Sequence, residues 1–421
     1  MLNRREFIAT SAIAMAGTTL AKRVNAQSPK IRVGVIGCNR RGSQVAENLV
    51  KSGYFTVKTL CDCDEEVLNN VNKELQKDKI EVSVLEKDFR RVLDDKEIEA
   101  VVVTTPDHWH ALMTVMALDA GKHVYVEKPL SYNIYDGYAV TQAMKKHPKQ
   151  IVLVGSQQRS GKHFQEAREF LQSGGVGKVG FVRAATIHWR EPLPKVPDSD
   201  PPKTLDYDMW TGPAPLKPYN KYRHHYNWHF TRDYGTGDTG NWAAHWLDIV
   251  RWFMGIDYPN RVVGMGGQFI TKDIKEWPDT QTTLLEYPEL TVLWELRLWS
   301  EYGPSSLAEF HGSKGTLVIT RDAWKVFESG SKKPPRTNPG SDIELPHAIN
   351  FAKSIIGEEK PIVPGDDGHI TAVLCHLCNI STFIPRALAF DPQTLSFVND
   401  PEADKWIKRT YRAPWNIEQY L

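Results

Sequence analysis

The segment from Ile31 to Asp62 constrains the fold more than any other part of the chain. Four apolar or small residues in a row, Val33 to Ile36, are typical of a strand that is buried on both faces of a parallel sheet. A glycine turn follows, and Ser43 to Ser52 has helical periodicity. A second strand, Thr56 to Cys61, comes next. This order of strand, turn, helix and strand predicts the opening unit of a doubly wound α/β sheet.

The glycine turn indicates a dinucleotide site. Gly37 lets the chain turn sharply, and Gly42 lets the helix pack closely on the strand, so the free N–H groups of the helix start can bind a pyrophosphate. Asn39 stands where the usual fingerprint has its middle glycine. An ordinary βα turn is therefore the alternative interpretation.

Asp62 follows the second strand at the distance expected of a ribose-binding acid. Its carboxylate can accept hydrogen bonds from both ribose hydroxyls and repels a 2′-phosphate, which favours NAD over NADP. NADP stays an alternative cofactor, because Arg40 and Arg41, close to Gly37 in the sequence, could bind its 2′-phosphate.

With 421 residues and a net charge of +1, the chain is long enough for two domains and lacks the basic excess of a nucleic-acid-binding protein. Its five cysteines do not suggest a disulfide framework. Cys375 and Cys378 have a CxxC spacing, but they lie in an apolar helical stretch with no second ligand pair, so we interpret them as packing residues and predict no metal site.

The first 26 residues resemble an export signal. Arg4 and Arg5 form a twin-arginine pair, the apolar run 8–21 is too short to span a bilayer, and 24–26 resembles a small-residue cleavage site. A basic amphipathic helix is the alternative. The twin-arginine route carries folded proteins, so we expect a periplasmic or otherwise exported protein whose cofactor is tightly bound and recycled, with no membrane span.

Alternating helices and strands continue to residue 155, which predicts a doubly wound parallel sheet over residues 30–155. The segment 104–110 ends a strand, and we interpret it as a nucleotide-facing loop before a helix at 111–120. After the strand 121–126, Lys128 stands between Glu127 and Pro129. A lysine buried there is a candidate proton donor or acceptor, although an exposed lysine paired with its neighbour would have the same sequence.

These motifs resemble the glucose–fructose oxidoreductase, inositol dehydrogenase and rhizopine-catabolism (Gfo/Idh/MocA) family, with Glu127-Lys128-Pro129 as the strongest match. The resemblance covers nearly all of the chain after residue 26. It implies an N-terminal Rossmann domain, a C-terminal α/β domain at 156–421 with a large, mostly antiparallel open sheet, and a homo-oligomer, either a dimer or a tetramer. It also implies a set of cofactor-binding residues: Gly37, Asn39, Arg41, Gly42, Asp62, Thr105, Pro106, His108, Glu127, Lys128 and Gln157.

The second chemical motif lies in the glycine-rich segment 235–248. Helical spacing places Asn241, His245 and Asp248 on one face of a helix. His245 alone could be a packing residue, but the segment resembles the family's D-x-G-x-H-x-x-D motif, with Asn241 in place of the first acid. The resemblance implies that Lys128 and His245 move the substrate proton while Asn241 orients the hydroxyl.

Four further residues are predicted to bind substrate: Arg159, Trp228, His229 and Asp248. Many of the 13 tryptophans cluster with histidines between residues 188 and 252, as in sugar-stacking sites. Together with the resemblance, this predicts an NAD(P)-dependent oxidoreductase acting on a sugar or polyol carbinol. Two alternatives stay open: a redox-neutral NAD-dependent glycosidase working through a keto-sugar, and a non-catalytic sugar-binding protein.

Overall fold

The computed structural model describes residues 30–224, 226–302 and 304–421. The predicted export signal, residues 1–26, lies outside this part. The first sheet has six parallel strands in the spatial order β3-β2-β1-β4-β5-β6. The strands are β1 (Ile31–Ile36), β2 (Phe55–Cys61), β3 (Val84–Glu86), β4 (Ala100–Val103), β5 (His123–Val126) and β6 (Val152–Val154). The order reverses between β1 and β4, and ligands bind at such a point in doubly wound sheets.

Five helices connect these strands: α1 (Arg41–Lys51), α2 (Glu65–Lys77), α3 (Phe89–Asp94), α4 (Asp107–Asp119) and α5 (Ile134–Lys146). The predicted loop at 104–110 is wrong in its second half, because α4 already begins at Asp107. Pro106 precedes the helix. Nearly every side chain in the first two turns of the helix is buried, so the sequence has no alternation of apolar and polar faces from which the helix could be predicted.

The second sheet is mixed and has eight strands in the order β14-β13-β12-β11-β7-β10-β9-β8. They are β7 (Val179–Ile187), β8 (Arg261–Gly267), β9 (Thr280–Tyr287), β10 (Leu290–Arg297), β11 (Ser306–Gly312), β12 (Gly315–Ile319), β13 (Ala323–Glu328) and β14 (Arg336–Pro339). All neighbours are antiparallel except β7 and β10, whose pairing is parallel. The structure therefore confirms the predicted fold class, and β9–β10 and β11–β12 form hairpins within the second sheet.

The remaining elements are α6 (Lys162–Gln172), α7 (Tyr207–Thr211), α8 (Ala244–Met254), α9 (Glu344–Ile355), α10 (Gly365–Phe383), α11 (Pro401–Asp404) and the short strands β15 (Phe390–Asp391) and β16 (Ser396–Phe397).

Helices cover one face of the second sheet. Its other face bears Val263 and Leu284 side by side on β8 and β9, each about 40% exposed. In the described part of the chain, no helix is long and apolar enough to cross a membrane.

The end of the chain returns to the first sheet. Phe351 of α9 stacks on Phe55 of β2, with ring centres 5.6 Å apart, and Trp415 packs edge-on against Trp109 at 4.8 Å. Ile417 is fully buried in the same core. The first sheet is therefore completed by residues that follow the second sheet in the sequence.

Candidate active site

A cleft of about 430 Å³ lies where the carboxyl ends of the parallel strands face the second sheet. Thirteen of the predicted site residues line it: Gly37, Asn39, Arg41, Asp62, Thr105, Pro106, Glu127, Lys128, Gln157, Trp228, His229, Asn241 and His245. Four predicted residues do not line it: Gly42, His108, Arg159 and Asp248. The structure thus gathers residues from both halves of the sequence into one site.

The turn after β1 depends on its two glycines. Gly37 has φ +80°, and a Cβ there would lie 2.9 Å from the Thr104 carbonyl group. A Cβ on Gly42 would lie 2.2 Å from the Gly37 oxygen, so Gly42 acts behind the cleft by letting α1 approach the turn. Both contacts involve backbone, which cannot move aside easily.

The start of α1 offers hydrogen-bond donors to the cleft. Within the described ranges, no acceptor is within hydrogen-bond range of the backbone N–H groups of Asn39, Arg40 and Arg41. These groups and the positive end of the helix dipole suit a pyrophosphate. Asp62 lies at the end of β2, where its Oδ2 accepts from the Cys38 N–H at 3.1 Å. These residues fit a bound dinucleotide.

Arg41 is held between two carboxylates. Its Nε lies 2.7 Å from Oε1 of Glu127, and its Nη2 lies 3.0 Å from Oε2 of Glu344 on α9. Burial alone would raise the pKa of Glu127, but Arg41 and Lys128 outweigh it and hold that pKa below its usual value. Gln157 donates to Glu344 as well, at 3.0 Å. The guanidinium therefore anchors the cleft wall. No sequence motif indicated Glu344, because it lies far along the chain from Arg41.

Lys128 points into the cleft at the end of β5. Its Nζ donates to Oδ1 of Asn241 at 2.6 Å and to the Asn241 backbone oxygen at 3.1 Å. Burial lowers the Lys128 pKa, against the opposing effect of the carboxylates of Glu127 and Asp107. The ammonium is therefore easier to deprotonate than an exposed lysine, and its position is fixed by one residue.

Asn241 is itself oriented by a charged pair. Its Nδ2 donates to Oδ1 of Asp238 at 3.1 Å, and Asp238 receives two hydrogen bonds of 2.8 Å from Arg190. Burial would raise the Asp238 pKa, but His188 and Arg190 keep it well below its usual value. The fixed carboxylate accepts from the amide nitrogen, which leaves the amide oxygen for Lys128.

His245 lines the cleft as a neutral imidazole. It is 5% exposed, and its buried Nδ1 has no hydrogen-bond partner among the residues that the structure describes. Burial lowers its pKa well below the usual value, and the cations Arg321, Lys128 and Arg41 lower it further. A neutral histidine with a free ring nitrogen is a suitable general base.

A π-helical turn, Thr239–Ala243, precedes α8 and changes the predicted geometry. Asn241 and His245 both line the cleft, but Asp248 points to Arg159, with two hydrogen bonds of 2.6 and 2.8 Å. Arg159 also bonds to Asp367 of α10 at 2.6 Å. This buried ion pair joins α8 to α10, so we assign Arg159 and Asp248 a structural role in place of substrate binding.

His108 also lies away from the cleft. Its ring nitrogens are 3.1 Å from the Tyr234 oxygen and 3.0 Å from the Trp210 oxygen, and burial lowers its pKa to about 3. It packs α4 against the segment that carries α7. We therefore assign it a packing role and not the predicted contact with cofactor.

Aromatic residues from the second half of the chain form the far wall. Trp228 and His229 have ring centres 3.7 Å apart, and burial lowers the His229 pKa to about 3. Tyr226 and Trp242 complete this wall, together with Arg321 from the turn after β12. In the described part of the chain, no cluster of three or more His, Cys, Asp or Glu could hold a metal ion.

Comparison with known proteins agrees with this geometry. A family model described as an oxidoreductase family with an NAD-binding Rossmann fold matches residues 31–156. A second model, the C-terminal alpha/beta domain of the same family, matches residues 178–282 and 337–417. Together the two models span most of the chain.

Myo-inositol 2-dehydrogenase of Thermotoga maritima is 26% identical over 82% of this chain and 94% of its own length. A glycosyl hydrolase family 109 protein of Shewanella pealeana is 24% identical over 44% of this chain and 46% of its own length.

Among solved structures, levoglucosan dehydrogenase in complex with NADH and levoglucosan superposes with a TM-score of 0.68 at 18% identity, covering 86% of this chain and 99% of that one. Aldose-aldose oxidoreductase from Caulobacter crescentus, complexed with glycerol, superposes with a TM-score of 0.66 at 18% identity. The superposition covers 86% of this chain and 100% of that one. At these identities the superpositions show the shared fold. With both family models matched, the chain belongs to the Gfo/Idh/MocA family of NAD-binding oxidoreductases.

Proposed function

We propose that the protein oxidises a carbinol of a sugar or polyol, with NAD bound in the cleft as the hydride acceptor. The observation that carries this proposal is the convergence of Lys128, Asn241 and His245 beside the glycine turn. The nicotinamide ring, when bound, supplies the redox chemistry by accepting a hydride. The protein supplies binding, orientation and proton transfer.

His245 is the proposed general base. Its low pKa keeps the imidazole neutral near pH 7, so a ring nitrogen can accept the proton of the substrate hydroxyl. Lys128 donates a hydrogen bond to the same oxygen as the proton leaves, which stabilises the negative charge that develops there. Asn241 holds the ammonium in place. Asn241 thus acts through Lys128, since an amide cannot itself take up the proton.

The turn at Gly37 and the N-terminus of α1 are proposed to bind the pyrophosphate, and Asp62 the adenosine ribose. Asp62 lines the cleft at the end of β2 and would repel a 2′-phosphate, which favours NAD over NADP. Arg41 is paired with two carboxylates. It therefore offers little charge to a second phosphate. We propose that the cofactor is tightly held.

A redox-neutral glycosidase is the second candidate, favoured by the family 109 glycosyl hydrolases among the relatives. Oxidation of a sugar hydroxyl to a ketone acidifies the neighbouring C–H bond. A base then removes that proton and the glycosidic oxygen leaves with the bonding electrons. Water adds to the resulting double bond, and the hydride returns to the ketone. Proton transfer by His245 and Lys128 serves the oxidation and the final reduction in this cycle.

We also propose that residues 1–26 direct export by the twin-arginine route, as the paired Arg4 and Arg5 suggest. The uncovered face of the second sheet is the proposed contact between subunits. Val263, Met265 and Leu284 are exposed there on adjacent strands, and an apolar patch of this kind is typical of an interface. Size-exclusion chromatography with light scattering tests the oligomer, and cell fractionation tests the export.

The deciding experiment is to denature the purified protein and identify any released nucleotide by mass spectrometry, before and after incubation with sugars and glycosides. Release of NAD that becomes NADH with a sugar supports the oxidoreductase. Release of an aglycone while the cofactor stays oxidised at the end of turnover supports the glycosidase. Lys128→Ala should abolish either activity, with the exposed Lys145→Ala as the control. Failure to bind any nicotinamide nucleotide would overturn the proposal.

A further inference from the structure

Arg321 reaches the cleft from the turn between β12 and β13. Its Nε donates to Oε1 of Gln158 at 3.2 Å, and its guanidinium carbon lies 5.5 Å from the centre of the Trp242 ring. It lines the cleft together with His245. No motif in the sequence pointed to this residue, because it comes from a hairpin of the second sheet.

Arg321 forms no close ion pair with the residues that the structure describes. Arg41 is paired with Glu127 and Glu344, and Arg190 is paired with Asp238. Across residues 30–224, 226–302 and 304–421, by contrast, no carboxylate lies within 4.0 Å of the Arg321 guanidinium, and its two terminal nitrogens have no hydrogen-bond acceptor. A partly buried cation without a counter-ion is costly, and a bound anion would remove that cost.

The surroundings of Arg321 are rich in donors. The Nε2 of Gln158 and the Nε1 of Trp242 are buried and have no acceptor among the described residues. Burial lowers the pKa of Arg321 and Arg41 lowers it further, against the opposing effect of the more distant carboxylates of Glu344, Glu127 and Asp322. A planar carboxylate can accept two parallel hydrogen bonds from a guanidinium, whereas a sugar hydroxyl offers no charge.

We propose that Arg321 binds a carboxylate on the substrate, so that the protein acts on an acidic sugar such as a uronic acid or its glycoside. This inference rests on the proposed function. Trp242, which the guanidinium faces, lies between Asn241 and His245 in the sequence, whereas the pyrophosphate site is the turn at Gly37 on the first sheet. Of the charges that lower the His245 pKa, that of Arg321 has the largest effect, so a carboxylate held by Arg321 would lie beside the proposed base.

The test compares matched pairs of sugars that differ only in the carboxylate. D-Glucuronate with D-glucose, and D-galacturonate with D-galactose, are titrated into the NAD-loaded protein by calorimetry, and NAD affinity is measured separately by fluorescence. The variants are Arg321→Gln, Arg321→Lys and, as a control, Arg336→Gln. Arg336 lies on β14 with its guanidinium 5.6 Å from the Trp324 ring centre, but it does not line the cleft.

We expect at least one uronate to bind about 10- to 100-fold more tightly than its neutral partner, as a charge-assisted pair of hydrogen bonds would give. Arg321→Gln should remove this preference, Arg321→Lys should keep part of it, and Arg336→Gln should keep all of it, with NAD affinity unchanged throughout. If no uronate is preferred, or if the preference survives Arg321→Gln in a protein with normal thermal unfolding, the inference is wrong.

A loss of NAD affinity in Arg321→Gln would also overturn it, because the guanidinium would then serve a cofactor phosphate. This outcome leaves the proposed oxidoreductase standing. Failure of the unaltered protein to bind NAD would instead refute the proposed function, so the two failures can be told apart.

Discussion

Replacing Asn241 by aspartate should raise the pKa of Lys128. The Nζ of Lys128 lies 2.6 Å from Oδ1 of Asn241, so Asn241→Asp places a carboxylate in direct contact with the ammonium. An opposite charge within 4 to 6 Å shifts a pKa by about 1 to 3 units, which corresponds to about 1.4 to 4 kcal/mol. The new carboxylate also faces Asp238, but Arg190 already neutralises that group.

The sign follows from the charges. In the unaltered protein, burial lowers the Lys128 pKa. The added negative charge favours the protonated amine, so deprotonation moves to higher pH and the alkaline limb of kcat/KM moves up with it.

The Lys128 pKa can be measured without knowing the substrate. Acetic anhydride modifies only the unprotonated amine, so the extent of Lys128 acetylation across pH, read by peptide mass spectrometry, gives a titration curve. Asn70→Asp, on the exposed side of α2, makes the same charge change outside the cleft and should leave the curve where it was. A Lys128 pKa that is unchanged or lower in Asn241→Asp would refute the assigned contact.

Four further predictions concern the site and its support. Gly42→Ala should destabilise the protein by about 1 to 3 kcal/mol and weaken NAD binding, because the alanine Cβ would lie 2.2 Å from the Gly37 oxygen. A urea unfolding curve identical to that of the unaltered protein would contradict the packing argument. Arg159→Met should cost about 3 to 5 kcal/mol by leaving Asp248 buried without its cation, and fluorescence-detected urea unfolding measures this loss. His245→Asn should lower kcat about 10²- to 10⁴-fold with unchanged NAD affinity. In the unaltered protein, the acid limb of the pH profile of kcat/KM should lie below pH 6.5, because the lowered pKa of His245 keeps its imidazole neutral until the solution is more acidic. An acid limb at or above pH 6.5 would exclude His245 as the base.

The sequence predicted local features of the fold well. The turn at Gly37 could be recognised because strand, glycines and helix follow one another within a few residues. The hairpin β9–β10 could be recognised from its alternating apolar and polar residues. The start of α4 at Asp107 could not, because a helix buried on all sides has no periodic pattern.

The candidate site was harder to predict where it depends on distant partners. Lys128 and His245 belong to short motifs, and the structure places both in the cleft. The role of Arg159 depends on Asp367, which lies 208 positions away, and Arg321 lies in a hairpin with no motif of its own. The π-helical turn before α8 also departs from the regular helix that helical spacing assumes, so the position of Asn241 relative to α8 could not be predicted.

The packing of the chain's end against the first sheet has a consequence for synthesis. Phe351, Trp415 and Ile417 belong to the core of the nucleotide-binding half, yet they are synthesised after the whole second sheet. An unfinished chain would expose the apolar surface that these residues cover. The nucleotide-binding half therefore reaches its stable form, and can retain a cofactor, only after these residues have been synthesised. A nonsense mutation just before Trp415 should consequently be as damaging as one inside the catalytic motifs.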